Sequence, residues 1–507
     1  MKNNVGKGAF VLVLSGLICK IFGGLFRLPL TNIVGIEGIG VYQMITSIYS
    51  LALVFVSGGV TNSLSKLVAG ARARGDFKVI GSYLRYALIF SLSLCVVFGL
   101  FFLIFSGSIG SIQGIGQGSE AYKLVSIILP LGALIGIARG LLQGYENMVP
   151  TAVSQILEQV SKLAFGLIFA YILGKGGASK GVFGAFLGIT CSELLACIYL
   201  LYTSSRKRGL EFGKSGKREF FSASLPLTFG GVVLPLTHAI EALFIIPLLL
   251  QAGLARDVAT SLYGIQTGVV GAIMNFPLII SMAVAVALLP NLSRLSSSGD
   301  VEGQKKLIST SFSCMWFLLI PLVVGIMSIA GGLYPIIYPR VISGYSEITL
   351  QLTTLGGISI IMTAVMQFLV SVLQANGHFK YSLLFYAIGG VAKVSFLFIF
   401  APMKEISIYA VAISNILLSL IVSICILIKL GGLIKIPFIE IFLPLTASII
   451  MYLAVKIFLS LIGGIGGLIL SVLVGMSLYV VFTLPLVARY SEMIKDKIFR
   501  KNKNANV

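Results

Sequence analysis

Residues 150–174 read PTAVSQILEQVSKLAFGLIFAYILG, an apolar run broken by one acid, Glu158, and one base, Lys162. About 20 apolar residues suffice for a helix to cross the hydrocarbon core of a bilayer, so the run predicts a transmembrane helix. Its polar residues Gln155, Glu158, Gln159 and Lys162 follow the spacing i, i+3, i+4, i+7. On a helix that spacing is a single stripe. A charge at the bilayer centre costs at least about 2.5–3.5 kcal/mol on insertion scales, so each needs a reason. An internal Glu158–Lys162 pair would make insertion cheaper; a stripe facing an aqueous cavity would account for the two glutamines as well.

The same design recurs downstream. At an offset of 231 residues, Leu142-Gln143 aligns with Leu373-Gln374, Lys162 with Lys393, and Ile168-Phe169-Ala170 with Ile399-Phe400-Ala401. Each copy is a span ending in Leu-Gln, a tight turn, then a span with a central lysine. Leu64-Ser65-Lys66-Leu67 resembles Leu292-Ser293-Arg294-Leu295, each soon followed by Gly-Asp, at Gly75-Asp76 and Gly299-Asp300. Parallel repeats predict two lobes with a substrate site between them.

Similar apolar segments fill the chain, at about 8–30, 39–68, 80–106, 120–144, 150–174, 182–203, 220–251, 261–290, 307–331, 347–374, 380–401, 406–429, 437–460 and 467–488. The expected fold is therefore an all-α polytopic membrane protein of about fourteen helices. Two pseudo-symmetric six-helix lobes, 1–219 and 220–430, are followed by two additional spans and a basic tail, 431–507. The first segment, with Lys2 and Lys7 before it, runs too long and lacks a small-residue cleavage site, so it is expected to be a retained span.

Composition agrees. The 507 residues are 57% hydrophobic and 11% charged, against about 25% charged in soluble domains. That excludes a soluble enzyme, a disordered chain and a disulfide scaffold. The formal charge of +20 is scattered between apolar runs, unlike the basic patch of a nucleic-acid binder. With the N-terminus inside, 25 basic residues fall in cytoplasmic segments and 6 in outer ones, which predicts that both termini are cytoplasmic. The six cysteines lie in apolar runs without C-x-x-C, and His238 and His378 are the two histidines, so no metal spacing exists. No phosphate-binding G-x-x-x-x-G-K-[ST] loop occurs, and no cofactor is expected.

The remaining intramembrane charges define the candidate site. Lys20 and Arg27, seven residues apart, share a helix face that would suit a phosphate, although Arg27 can also snorkel to headgroups. Arg139 ends the fourth span, either positioned for a substrate or as a simple flank. The seventh span, bent by Pro226, Pro235 and Pro247, carries His238 and Glu241 three residues apart. These are either hydrogen-bonded to each other or a coupling site that responds to protons or cations. Glu193 would neutralise a neighbouring cation and joins them as a gating candidate. Lys393 is expected to face the same cavity as Lys162, and Lys456 to line a lipid-side groove or snorkel. Five cations (Lys20, Arg27, Arg139, Lys162, Lys393) against three acids (Glu158, Glu193, Glu241) suggest an anionic substrate.

Gly35-Ile36-Glu37-Gly38-Ile39-Gly40-Val41-Tyr42-Gln43, preceded by Arg27-Leu28-Pro29-Leu30 and followed by Ser65-Lys66-Leu67-Val68-Ala69, resembles the opening of the stage V sporulation protein B group of polysaccharide flippases. That group is similar to the MurJ lipid II flippases of the MOP exporter superfamily. The resemblance implies export of an undecaprenyl-pyrophosphate-linked saccharide by alternating access, with Lys20 and Arg27 engaging the pyrophosphate and residues 437–488 forming a groove for the lipid tail. It also implies an acid midway in the seventh span, where Glu241 stands. Gram-negative MurJ proteins have a cavity arginine in the second span; residues 40–65 hold no base here. The expected partners are a lipid-linked saccharide and membrane lipids, with the chain acting as a monomer, and coupling to Na+, H+ or the membrane potential. The alternatives are a cation-coupled multidrug antiporter of the same superfamily and a membrane-embedded polysaccharide polymerase. The polymerase is disfavoured by outer connections, near 107–119 and 332–346, that carry no acid–base pair.

Overall fold

A computed structural model describes the backbone of residues 2–205, 215–339, 342–435 and 437–505, and side chains within these except at 2–7, 9–10, 13 and 487–505. The side chains of Lys2, Lys7, Arg206, Lys207, Arg208, Lys214, Arg340 and the basic tail from Arg489 onward lie outside the described residues.

All regular structure among the described residues is helical. The first half comprises α1 (Lys2–Leu53), α2 (Gly59–Ala73), α3 (Phe77–Gln113), α4 (Ala121–Gly144), α5 (Val149–Gly174), α6 (Ala178–Ser205), α7 (Lys217–Gln251) and α8 (Arg256–Gly264). The second comprises α9 (Gly271–Met274), α10 (Leu278–Ser297), α11 (Val301–Ile337), α12 (Ser346–Ala375), α13 (Phe379–Phe400), α14 (Tyr409–Leu430), α15 (Phe438–Leu461) and α16 (Gly464–Ala505). Among the described residues 13 helical runs are long and apolar enough to cross a membrane. The chain is a multi-pass membrane protein. Exposed apolar side chains such as Val97, Ile104, Ile168 and Ile457 line the helix exteriors, where lipid rather than water satisfies them.

One helical run, Leu14–Ala73, holds 60 residues and spans about 90 Å at a 1.5 Å rise, against a core of about 30 Å. It contains the first two expected spans. Gly35, with φ 75° and ψ 178°, breaks it in a conformation that other residues rarely adopt. A π-helical turn at Val54–Gly58 then joins α1 to α2. The eighth expected span, 261–290, is not continuous as its sequence suggested. A π-helical turn at Ile265–Val270 links α8 to α9, and turns at residues 275–277 separate α9 from α10. Pro277 is the cause, since it cannot donate to the helical ladder and disfavours helix in the residue before it.

The two turns aligned by the 231-residue offset are built alike. Backbone N–H groups of Tyr145, Glu146 and Asn147 donate to the carbonyls of Leu141, Gln143 and Leu142; those of Asn376, Gly377 and His378 donate to Val372, Gln374 and Leu373. The Gly-Asp pairs match too. Gly75 and Gly299, at φ 75° and 72°, close a 6→1, 5→2 helix end, with Asp76 bonding Ala71 and Asp300 bonding Leu295.

By internal packing the chain forms two compact units, residues 1–276 with 383–422 and residues 277–382 with 423–507. These group residues by packing, whereas the lobes expected at 1–219 and 220–430 group them by repeat. In the first unit α5 and α6 meet backbone to backbone: a Cβ on Gly188 would stand 2.3 Å from the Gly166 Cα. Small residues allow such an approach between membrane helices. In the second unit α11 packs on α12, α15 and α16.

Candidate functional site

Every intramembrane candidate from the sequence except Lys456 falls in the first unit. Their positions follow from how α1 is held. Gly40 and Gly264 bring α1 and α8 into close contact: a Cβ on Gly264 would stand 2.0 Å from the Ile36 carbonyl oxygen. The Gln43 side-chain amide donates to the Thr267 carbonyl at 2.8 Å. The Gly-Ile-Glu-Gly-Ile-Gly stretch is thus a helix break followed by a tight helix crossing.

The polar stripe of α5 lies along α1. Ser15 donates to Gln155 Oε1 at 2.8 Å, a Cβ on Gly23 would stand 3.9 Å from Gln159 Oε1, and the Lys162 ammonium sits 5.0 Å from the Phe26 ring centroid. Glu158 is paired, but with α4 rather than with Lys162: Arg139 Nη2 lies 2.9 Å from Glu158 Oε2, and Arg139 Nε donates to the Ser154 hydroxyl at 3.1 Å. Gln159 donates to the other Glu158 oxygen at 3.2 Å. Arg139 is therefore a structural partner of the stripe and not a flank. Lys162, a cation over an aromatic face, makes no ion pair among the described residues.

Lys20 and Arg27 stand on one continuous stretch of α1, near enough for their charges to act on each other. Lys20 is exposed and Arg27 half-buried, and among the described residues neither is paired with an acid. Two unneutralised cations on one helix face can pair with an anionic group.

Around α7 the arrangement differs. Lys393 Nζ lies 2.7 Å from Glu241 Oε2 and 3.2 Å from His238 Nδ1. The lysine thus bonds both residues, for which the spacing had left open a mutual hydrogen bond or a coupling site. Lys393 is 0% exposed and Glu241 3%, while His238 is exposed. Lys393, expected among the substrate-facing cations, has its side chain enclosed and its charge neutralised. Two glycines explain how α13 reaches this position: a Cβ on Gly389 would stand 2.8 Å from Val422 Cγ2, and one on Gly390 2.7 Å from Thr237 Cγ2.

Glu193, 7% exposed, is hydrogen-bonded by Tyr49, and its charge is felt with those of Glu158, Arg139 and Lys162. Tyr263 hydrogen-bonds Glu241 and Ser47 in the same way. Both tyrosines were missed from the sequence. Their signal is a matching triplet, Ser47-Ile48-Tyr49 and Ser261-Leu262-Tyr263. A further buried acid was also missed: Glu440, in the first turn of α15, accepts from the Ser313 hydroxyl in the second unit. It escaped notice because it stands at the edge of its span.

In the second unit α10, α11, α15 and α16 line an open apolar cavity of about 410 Å³, with Ile280, Phe317, Leu322, Met451, Val455 and Met476 among its residues. A second cavity of about 560 Å³ lies nearer the α15–α16 turn and includes Lys456.

Residues 5–296 match the family described as polysaccharide biosynthesis protein. Stage V sporulation protein B of Bacillus subtilis (strain 168) is 30% identical over 299 residues, which cover 57% of this chain and 58% of that protein. Lipid II flippase MurJ of the same organism is 26% identical over 367 residues, 67% of this chain and 66% of that protein. The matches thus span less than two thirds of these relatives. Among solved structures, lipid II flippase MurJ in an inward closed conformation superposes with a TM-score of 0.72 at 14% identity, over 96% of this chain and all of that one. An inward-facing multidrug resistance MATE family transporter of the MOP superfamily gives 0.65 at 17% identity, over 84% and 98%. The fold is that of these transporters.

Proposed function

This chain belongs to the polysaccharide biosynthesis protein family, and on that premise we propose that it moves a lipid-linked saccharide bearing a pyrophosphate across the plasma membrane by alternating access. One observation carries the reading. Of the five intramembrane cations, Arg139 and Lys393 are neutralised by Glu158 and Glu241, which leaves Lys20 and Arg27 on one face of α1, and Lys162 on α5, without an ion pair among the described residues. A pyrophosphate is the complement of that pair. Lys162, close to α1, is a third contact for the headgroup. The apolar cavity of α10, α11, α15 and α16 is suited to a prenyl tail. The expected coupling site is occupied differently: Glu241 already holds an ammonium, so the acid is committed inside the protein. With both termini cytoplasmic, as the basic residues indicate, an anionic headgroup moves outward down the membrane potential, worth about 2.3 kcal/mol per charge per 100 mV.

The test is the accessibility of lipid-linked precursor at the outer face in cells carrying Lys20→Ala and Arg27→Ala. Loss of one charge-assisted contact, worth about 1.5–3 kcal/mol, lowers transport about tenfold or more, and the double variant lowers it further. Unchanged accessibility in both single variants would overturn the pyrophosphate assignment. Depletion of the protein should accumulate inward-facing precursor; accumulation of a drug would instead favour the multidrug antiporter.

A further inference from the structure

The face of α1 that carries Lys20 and Arg27 also carries two glycines. Gly16, Lys20, Gly23 and Arg27 follow the spacing i, i+4, i+7, i+11, which is one side of a helix. A Cβ on Gly16 would meet nothing within 4 Å, and one on Gly23 would meet a single atom, the Gln159 amide oxygen at 3.9 Å. The neighbouring side of α1 is closed, because a Cβ on Gly24 would stand 2.6 Å from the Phe276 Cζ. The cations therefore stand on an open strip of helix, and Gln159 of α5 borders it. At 1.5 Å per residue Gly23 lies roughly 4.5 Å along the axis from Lys20 and roughly 6 Å from Arg27, so the amide is level with the space between the two charges.

The orientation of this amide is fixed by its neighbours. Gln159 Nε2 donates to Glu158 Oε1 at 3.2 Å, and Arg139 Nη2 lies 2.9 Å from Glu158 Oε2. A carboxylate held by an arginine accepts hydrogen bonds and donates none, so only the amide nitrogen can face it. The carbonyl end of Gln159 is thereby turned away, toward Gly23, and it accepts no hydrogen bond among the described residues. The aligned helix α13 has Gly389 and Gly390 at these two positions, so the repeated architecture does without the amide.

We propose that Gln159 reads the sugar attached to the pyrophosphate, its amide oxygen accepting from the hydroxyl or acetamido N–H on C2, with Glu158 and Arg139 as positioning residues. The inference rests on the pyrophosphate reading above and adds to it how the saccharide end is recognised. In a glycosyl pyrophosphate the C2 substituent is the sugar's donor group nearest the phosphate. A pyrophosphate held by Lys20 and Arg27 brings that group beside Gly23. An outward amide oxygen accepts and does not donate, so the site favours sugars that keep a donor at C2 over 2-deoxy sugars. It likewise favours a loaded carrier over bare polyprenyl pyrophosphate.

The experiment measures binding to the full chain by native mass spectrometry, with polyprenyl pyrophosphate bare or carrying N-acetylglucosamine, glucose or 2-deoxyglucose. The bare lipid reports on Lys20 and Arg27; the ratio between sugars reports on Gln159. The parent should bind the N-acetylglucosamine and glucose lipids about fivefold more tightly than the 2-deoxyglucose lipid, as expected for one neutral hydrogen bond. Gln159→Leu and Gln159→Met should bring that ratio to about one. Glu158→Gln keeps the Gln159 side chain but lets its amide turn, so it should lower the ratio as well; a uniform loss across the three sugars overturns the positioning role. A ratio near one in the parent, or a ratio unchanged in both Gln159 variants, overturns the proposal, while binding of the bare lipid leaves the pyrophosphate reading standing. Bare-lipid binding insensitive to Lys20→Ala and Arg27→Ala overturns that reading and, with it, the placement of the sugar.

Discussion

Lys162 and Lys393 occupy the same place in two aligned segments, yet they have opposite fates. Lys162 is half-buried over Phe26 and has no acid among the described residues; Lys393 is enclosed and salt-bridged to Glu241. The cause lies in the neighbouring positions. Arg139 and Glu158, which pair with each other beside Lys162, correspond at the same offset to Val370 and Gly389. In the second segment Gly389 and Gly390 stand in place of Glu158 and Gln159, so α13 can close on α7 and α14, and its lysine pairs with an acid from another helix. Equivalent residues thus diverge into a cation over an aromatic ring, with no ion pair among the described residues, and a cation salt-bridged to another helix.

The largest effect that sharpens this contrast is expected for Lys393→Met. Removing one partner of a buried ion pair leaves an uncompensated charge and costs about 3–5 kcal/mol. Thermal unfolding in detergent should register it, and Glu241→Gln in the same chain should recover much of the loss. If Lys393→Met is as stable as the parent, the contrast between the two lysines fails.

Next comes Arg139→Gln. Its pair with Glu158 is only partly buried, with side chains 16% and 19% exposed. A loss of about 1–3 kcal/mol is expected for a buried acceptor left short of its donor. A double-mutant cycle with Glu158→Gln measures the coupling, and a coupling near zero would show that Arg139 does not support the stripe.

The smallest stability change belongs to Lys162→Gln, about 0.5–1 kcal/mol for the lost cation–π contact. Its signature is instead functional: lower precursor export at nearly unchanged unfolding temperature. The opposite pattern, with stability lost and export kept, would make Lys162 a structural lysine like Lys393.

The helical membrane character, most of the spans and the internal similarity were legible in the order of residues, because hydrophobic length and charge cost act locally along a chain; the break inside 261–290 was not. Even the helix ends at Gly75 and Gly299 were visible as Gly-Asp pairs. Within the site, the polar stripe of α5 and the shared face of Lys20 and Arg27 came from helical spacing alone. What spacing does not contain is pairing between helices. Glu158 had a base four residues away in Lys162 and took Arg139 from α4; His238 and Glu241 were three residues apart and received Lys393 between them. An ion pair in a low-dielectric interior goes to the partner that packing brings within about 3 Å. Which helices approach that closely depends on glycines such as Gly188, Gly264 and Gly390, whose contacts lie far along the chain. The sequence by itself therefore determined that charges are buried in the membrane and on which helix faces. Only the tertiary structure decided which of them are neutralised, because ion pairs form between helices that packing brings together.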